Sequence, residues 1–180
     1  MTPDHPFDTD QPSDPAARQP DTPPVVLAPG EHCPGLLEPA AVRHLVVHCS
    51  ATDNDVDIGA REIHAMHLGF DWHGIGYHRV VRRDGRVEPG RPDYWVGAHV
   101  YGQNESSLGV CLIGRDSFTK AQFDALEDVL RTWRIASPGA RICGHCDFAT
   151  TTKTCPNFDV QAFCTSRGLA DWPVEGLPPT

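Results

Sequence analysis

Arg43-His44-Leu45-Val46-Val47-His48 is a short β-branched run, apolar on both of its alternating faces. A strand with one wet face alternates apolar and polar residues, whereas a central strand covered on both sides does not. The run therefore predicts a central strand, and it places an imidazole, His48, at the end of that strand. Downstream, Leu108 to Ile113 and Ala140 to Gly144 read as further buried strands. Tyr77 to Arg82, the tight turn Asp84-Gly85 and the return Arg86-Val87-Glu88 read as a hairpin. Helical signals lie between them. Asp57 to Leu68 carries Ile58, Ile63 and Met66, with Asp57 or a neighbour as cap and Gly69 as stop. Thr119-Lys120-Ala121-Gln122 has the form of a capping box and opens a long amphipathic helix through Phe123, Leu126, Leu130 and Trp133, closed by Pro138-Gly139. Asp159 to Arg167 is a last short helix. The fold class is α/β: one domain with a central mixed β-sheet flanked by α-helices.

The chain has 180 residues, 39% hydrophobic and 22% charged, which suits one soluble domain with some tail to spare. Residues 1–39 are rich in Pro and Asp and show no sustained apolar periodicity, so they are expected to form a disordered or extended arm. Residues 40–170 are the folded domain, and 171–180, with three prolines and one Trp, are a tail. A net charge of -9 argues against nucleic acid or an anionic membrane as partner. No apolar run approaches the ~20 residues of a membrane helix. The start, Met1-Thr2-Pro3-Asp4-His5, lacks a basic, then apolar, secretory signal, so synthesis in the cytoplasm is expected, with a monomer as the working unit. Seven cysteines, an odd number, read as reduced thiols rather than as a disulfide scaffold.

A metal site needs donors that are neutral or deprotonated near pH 7, fixed by rigid elements and converging in space. His48 and His145 each stand at the end of a buried strand, and Cys155 follows in a loop ten residues after His145. Two imidazoles and a thiolate leave the fourth tetrahedral position to water, which distinguishes a catalytic zinc from a closed structural one. Ten histidines and seven cysteines permit many accidental triples, so the set alone is weak.

The surrounding motifs are more specific. Val47-His48-Cys49-Ser50-Ala51-Thr52, Gly76-Tyr77-His78, Arg83-Asp84-Gly85, Gly97-Ala98-His99, Ser107-Leu108-Gly109-Val110-Cys111-Leu112-Ile113-Gly114, Gly144-His145 and Lys153-Thr154-Cys155-Pro156 occur in that order. From about Arg43 to Asp159 the chain resembles the type 2 N-acetylmuramoyl-L-alanine amidases, a family that includes phage amidase-type lysozymes and animal peptidoglycan recognition proteins. The phage branch is the most similar. The resemblance implies one Zn2+ per chain, held by His48, His145 and Cys155 at one edge of a surface groove, with Tyr77 and Lys153 catalytic. It also places His99 near the metal, as a substrate-lining residue or a structural hydrogen-bonding one.

The implied activity is hydrolysis of the amide between N-acetylmuramic acid and L-alanine in peptidoglycan, by a phage or prophage endolysin acting on the wall after release. Two alternatives share the motifs: a cytosolic amidase that recycles muropeptides, and a peptidoglycan-binding module without catalysis. The ten-residue His145–Cys155 spacing resembles the recycling enzymes, but those carry a catalytic Glu where this chain has Cys111, and Asp as third ligand. Lys153 and Cys155 argue against the non-catalytic module. Cys49, Cys111 and Cys164 read as small core residues. His64, His67, His73 and His78 read as surface or packing residues, and Arg79, Arg82, Arg83, Arg86 and Arg91 as a solvated face or a contact for stem-peptide carboxylates.

Overall fold

The computed structural model describes residues 34–170. The expectations for residues 1–33, Cys33 included, and for the tail 171–180 fall on segments outside the described residues. The elements in chain order are β1 (His44–Cys49), α1 (Ala60–Gly69), β2 (Arg79–Val81), β3 (Val87–Pro89), β4 (Ser107–Leu112), α2 (Lys120–Ala136), β5 (Arg141–Gly144) and α3 (Val160–Ser166). Five strands form one sheet in the order β3-β2-β4-β1-β5. β1 lies parallel to both β4 and β5, β2 is parallel to β4, and β2 and β3 pair antiparallel as the expected hairpin. The sheet is mixed, with β1 inside it.

Side chains alternate across a strand, so each strand divides its residues between two layers. Leu45 and Val47 of β1 join Leu108, Val110 and Leu112 of β4 in one cluster with Leu126, Leu130 and Trp133 of α2 and Phe163 of α3. Each fully buried aliphatic or aromatic side chain there contributes roughly 1.5–3 kcal/mol. On the other face Val80 packs with Ile63 of α1, and Val46 with Val100 and Cys143. α1 covers only part of that face, and His48 belongs to it. The groove described below opens there.

The capping box of α2 forms as read: Gln122 N–H donates to Thr119 Oγ1 at 3.1 Å, and Thr119 N–H to Gln122 Oε1 at 3.1 Å. The start of α1 differs. Its cap is Gly59, whose N–H donates to Glu62, while Ala60 N–H donates to Glu88. Asp57 instead accepts from Arg82 and from Arg83 N–H, so Asp57 and Ile58 stay outside the helix. β2 starts at Arg79 rather than Tyr77, because the segment before it is held by loops: Ala98 N–H donates to Gly76 O and Arg91 N–H to Tyr77 O. The boundary read at residue 39 falls within packed chain. Leu37 is buried in the core and Leu36 bridges to Trp95.

The arginine cluster is committed internally. Arg79 pairs with Asp93, Arg82 with Asp57 and Glu88, and Arg86 with Asp84. Arg83 donates to Ile113 O and Ser117 O, and Arg91 to Ile75 O and Val96 O. Only Arg91 of these five lines the groove.

Candidate metal centre

His48 lies one residue from the end of β1 and is 1% exposed. His145 directly follows β5, and because β1 and β5 run parallel, both imidazoles come to the same end of the sheet. Cys155 returns to them on a loop pinned by backbone contacts: Cys146 N–H donates to Cys155 O at 2.8 Å, and Cys49 N–H to Cys155 Sγ at 3.2 Å. Ligand atoms of His48, His145 and Cys155 all lie within 4.8 Å of one another, and His48 Nδ1 is 3.9 Å from Cys155 Sγ. Among the described residues this is the one such group of His, Cys, Asp or Glu that could hold a metal. The Cys143-x-x-Cys146 pair takes no part in it.

The chemistry of these donors fits a metal. Burial, followed by the charges of His99, His145 and Lys153, holds His48 well below the usual imidazole range. Burial and Lys153 also lower His145. Both rings are therefore neutral near pH 7 and keep a lone pair for a cation. Cys155 Sγ lies against Cys49, 3.2 Å from its backbone nitrogen, and a thiolate on Cys49 pushes the Cys155 thiol up. Two nitrogens and one sulfur form a donor set suited to zinc.

Tyr77, Lys153 and His99 surround this cluster. The Tyr77 ring centroid is 5.1 Å from that of His48. Burial pushes its phenol well above 10, helped by Cys111, Cys155 and Cys49. Tyr77 thus stays protonated. Its approach depends on Gly76: a Cβ there would collide with the carbonyl of Ala98. His67 Nδ1 accepts from Gly76 N–H at 3.0 Å and His64 Nδ1 from Ile75 N–H at 3.2 Å, so two histidines of α1 fix the segment that carries Tyr77. Lys153 is exposed on the Cys155 loop, lines the groove and enters no ion pair among the described residues. His99 Nδ1 lies 3.0 Å from His48 Nε2. The groove has a volume of about 1080 Å³, and the exposed Met66, Phe70, Trp72 and Tyr101 line it farther out.

Residues 38–158 match the N-acetylmuramoyl-L-alanine amidase family. The chain belongs to that family. It is 46% identical over 131 residues to the endolysin of Enterobacteria phage K11, covering 68% of this chain and 85% of the relative. The endolysin of Escherichia phage T7 is 39% identical over 133 residues, with 69% and 87% covered. The solved N-acetylmuramoyl-L-alanine amidase LysC from Clostridium intestinale superposes with a TM-score of 0.66 at 25% identity, over 76% of this chain and 92% of that one. Drosophila PGRP-LB, at 22% identity and a TM-score of 0.62 over 78% and 86%, shares the fold.

The five residues read as ligands or catalytic groups converge in one groove, and His99 lines the same groove while contacting His48. Sequence reasoning missed two cysteines. Cys49 and Cys111 are buried, as core residues would be, yet Cys49 N–H donates to Cys155 Sγ and Cys111 acts on the Tyr77 phenol. Their positions, beside His48 and on the same strand face as Gly109, were the available signal. His78 is wholly buried, its Nδ1 accepting from Gly109 N–H and its Nε2 donating to Trp95 O.

Proposed function

We propose that this chain is a zinc-dependent N-acetylmuramoyl-L-alanine amidase that cuts the amide between N-acetylmuramic acid and L-alanine in peptidoglycan, working as an endolysin. The observation that carries the proposal is the convergence of His48, His145 and Cys155 beside Tyr77 and Lys153 in one open groove. Zinc would supply a Lewis acid that polarises the scissile carbonyl and acidifies water toward a pKa of ~7. The chain's own groups do the rest. Tyr77, kept protonated by burial, orients the attacking water and relays its proton. Lys153 brings a cation with no carboxylate partner among the described residues, suited to the oxyanion of the tetrahedral intermediate. The groove, about 1080 Å³ and lined by Met66, Phe70, Trp72 and Tyr101 as well as the metal donors, suits a substrate with a sugar on one side of the amide and a peptide on the other.

The endolysin role rests on the relatives named above, and on this chain covering most of their length. No helix among the described residues is long and apolar enough to cross a membrane. We expect a monomer that meets its substrate at the wall after release.

Digestion of purified sacculi and of soluble muropeptides, with products identified by mass spectrometry, tests the reading. An amidase releases new L-alanine amino termini and no new reducing sugar ends. New reducing ends would make the enzyme a glycosidase, and activity on soluble muropeptides alone would make it a recycling amidase.

A further inference from the structure

We propose that His99 is a positioning residue: through Ser107 and the carbonyl of Gln103 it fixes the tautomer of His48 that leaves Nδ1 bare toward His145 and Cys155. The inference rests on the reading that His48 is a metal ligand, and it starts from a chain of four polar groups whose protons have one consistent arrangement.

The chain is anchored at its far end. A backbone carbonyl can only accept, and Ser107 Oγ lies 2.7 Å from Gln103 O, so the single hydroxyl proton of Ser107 is committed there. Toward His99 Nε2, 3.4 Å away, Ser107 Oγ can then only accept. His99 Nε2 therefore carries the ring proton. Among the described residues the His99 ring nitrogens meet only Ser107 and His48 and no carboxylate that would hold a second proton, so the ring has one N–H, and its Nδ1 is bare and accepts across 3.0 Å from His48 Nε2–H. His48 has spent its own proton on that bond. Its Nδ1 lone pair is what remains, 3.9 Å from Cys155 Sγ. The reverse arrangement would set the bare Nε2 of His99 against the lone pairs of Ser107 and give His48 Nδ1 a proton where a ligand atom is needed.

Packing holds the relay in place. The His99 ring sits between Gly97 and Gly109: a Cβ on Gly97 would lie 2.5 Å from its Cδ2, and one on Gly109 would lie 2.7 Å from three ring atoms. The backbone on either side is fixed too, since Asn104 Oδ1 accepts from His99 N–H at 2.8 Å and from Val100 N–H at 3.0 Å. Gly97-Ala98-His99 and Ser107-Leu108-Gly109 are thereby one device: a ring, the slot that admits it, and the hydroxyl that sets its proton. Metal-binding histidines commonly give their second N–H to a carboxylate or carbonyl. Here a neutral imidazole and a serine stand between the ligand and the carbonyl.

The test reads the metal-free protein first. Long-range 1H–15N NMR of 15N-histidine-labelled wild type should show His48 with a protonated Nε2 and a bare Nδ1, and His99 in the same tautomer. A protonated His48 Nδ1 in the wild type overturns the proposal, whatever the variants do. Ser107→Ala and His99→Leu should populate the other His48 tautomer. His99→Gln, whose amide can accept from His48 and donate toward Ser107, should restore the first. Zinc affinity, measured by chelator competition, should fall about 10- to 100-fold in His99→Leu and recover in His99→Gln. Equal affinity in wild type and His99→Leu also sinks the proposal. A wild type with the stated tautomer that binds no zinc would instead remove the metal reading and leave the relay standing.

Discussion

Replacing Gly109 by alanine perturbs the site through one methyl group. Gly109 sits in β4 between β1 and β2, and its backbone cannot retreat: its carbonyl accepts from His78 N–H at 2.8 Å and its N–H donates to His78 Nδ1 at 3.0 Å. The added Cβ would lie 2.7 Å from the His99 ring, about 0.7 Å inside the 3.4 Å at which ordinary contact begins. The ring can yield only by stretching its 3.0 Å bond to His48 or by closing on Gly97. Overpacking of this size costs about 1–3 kcal/mol, and the lower chain entropy of alanine returns up to about 1 kcal/mol. A net loss of roughly 1–2 kcal/mol is expected in urea unfolding of the metal-free protein. The sharper reading is a double-mutant cycle. His99→Ala vacates the slot, so Gly109→Ala added to it should cost much less than in the wild type, with a coupling of about 1 kcal/mol or more. Strict additivity, or a Gly109→Ala protein as stable as wild type, would refute the argument that the glycine is there for the ring.

Other expectations follow from the same geometry. Tyr77→Phe and Lys153→Ala should each keep zinc and bind peptidoglycan while losing roughly 10²-fold or more in turnover, the scale of a positioned acid–base or oxyanion group; wild-type turnover in both would remove the mechanism. Chelation should abolish activity and lower the thermal midpoint, since a ligand present at 1,000 times its Kd stabilises the fold by about 4 kcal/mol, and added zinc should restore both. His78, held down to about 4 by burial, is neutral in the folded chain while the unfolded chain protonates near 6.5. Its contribution is therefore complete above pH 6.5 and is lost as pH falls toward 4, at up to about 1.4 kcal/mol per pH unit. NMR titration showing His78 protonated at pH 6 would contradict this.

The sheet was legible because β1 carries the buried apolar run Leu45-Val46-Val47 on both of its faces, and the long helix because Thr119 and Gln122 cap each other as their spacing implies. The start of α1 was not legible. Asp57 looks like a cap, but Arg82 and Arg83 claim it from across the fold, and Glu88 satisfies Ala60 N–H in its place. The same long-range competition hid the role of the arginines, whose partners Asp57, Glu88 and Asp93 come from other segments. At the site, the motifs carried His48, His145, Cys155, Tyr77 and Lys153. They did not reveal that His99, besides lining the groove, contacts His48. That contact, at 3.0 Å, joins β1 to a loop 51 residues away.

Zinc K-edge X-ray absorption of the zinc-loaded protein tests the central claim most directly, because it counts and identifies the donors without reference to activity. One sulfur at ~2.3 Å and nitrogen or oxygen donors at ~2.0–2.1 Å, four neighbours in all, is the expected shell, at one zinc per chain. In Cys155→Ser the sulfur should vanish from that shell. A wild-type shell without sulfur, or one whose sulfur survives the loss of Cys155, would contradict the account.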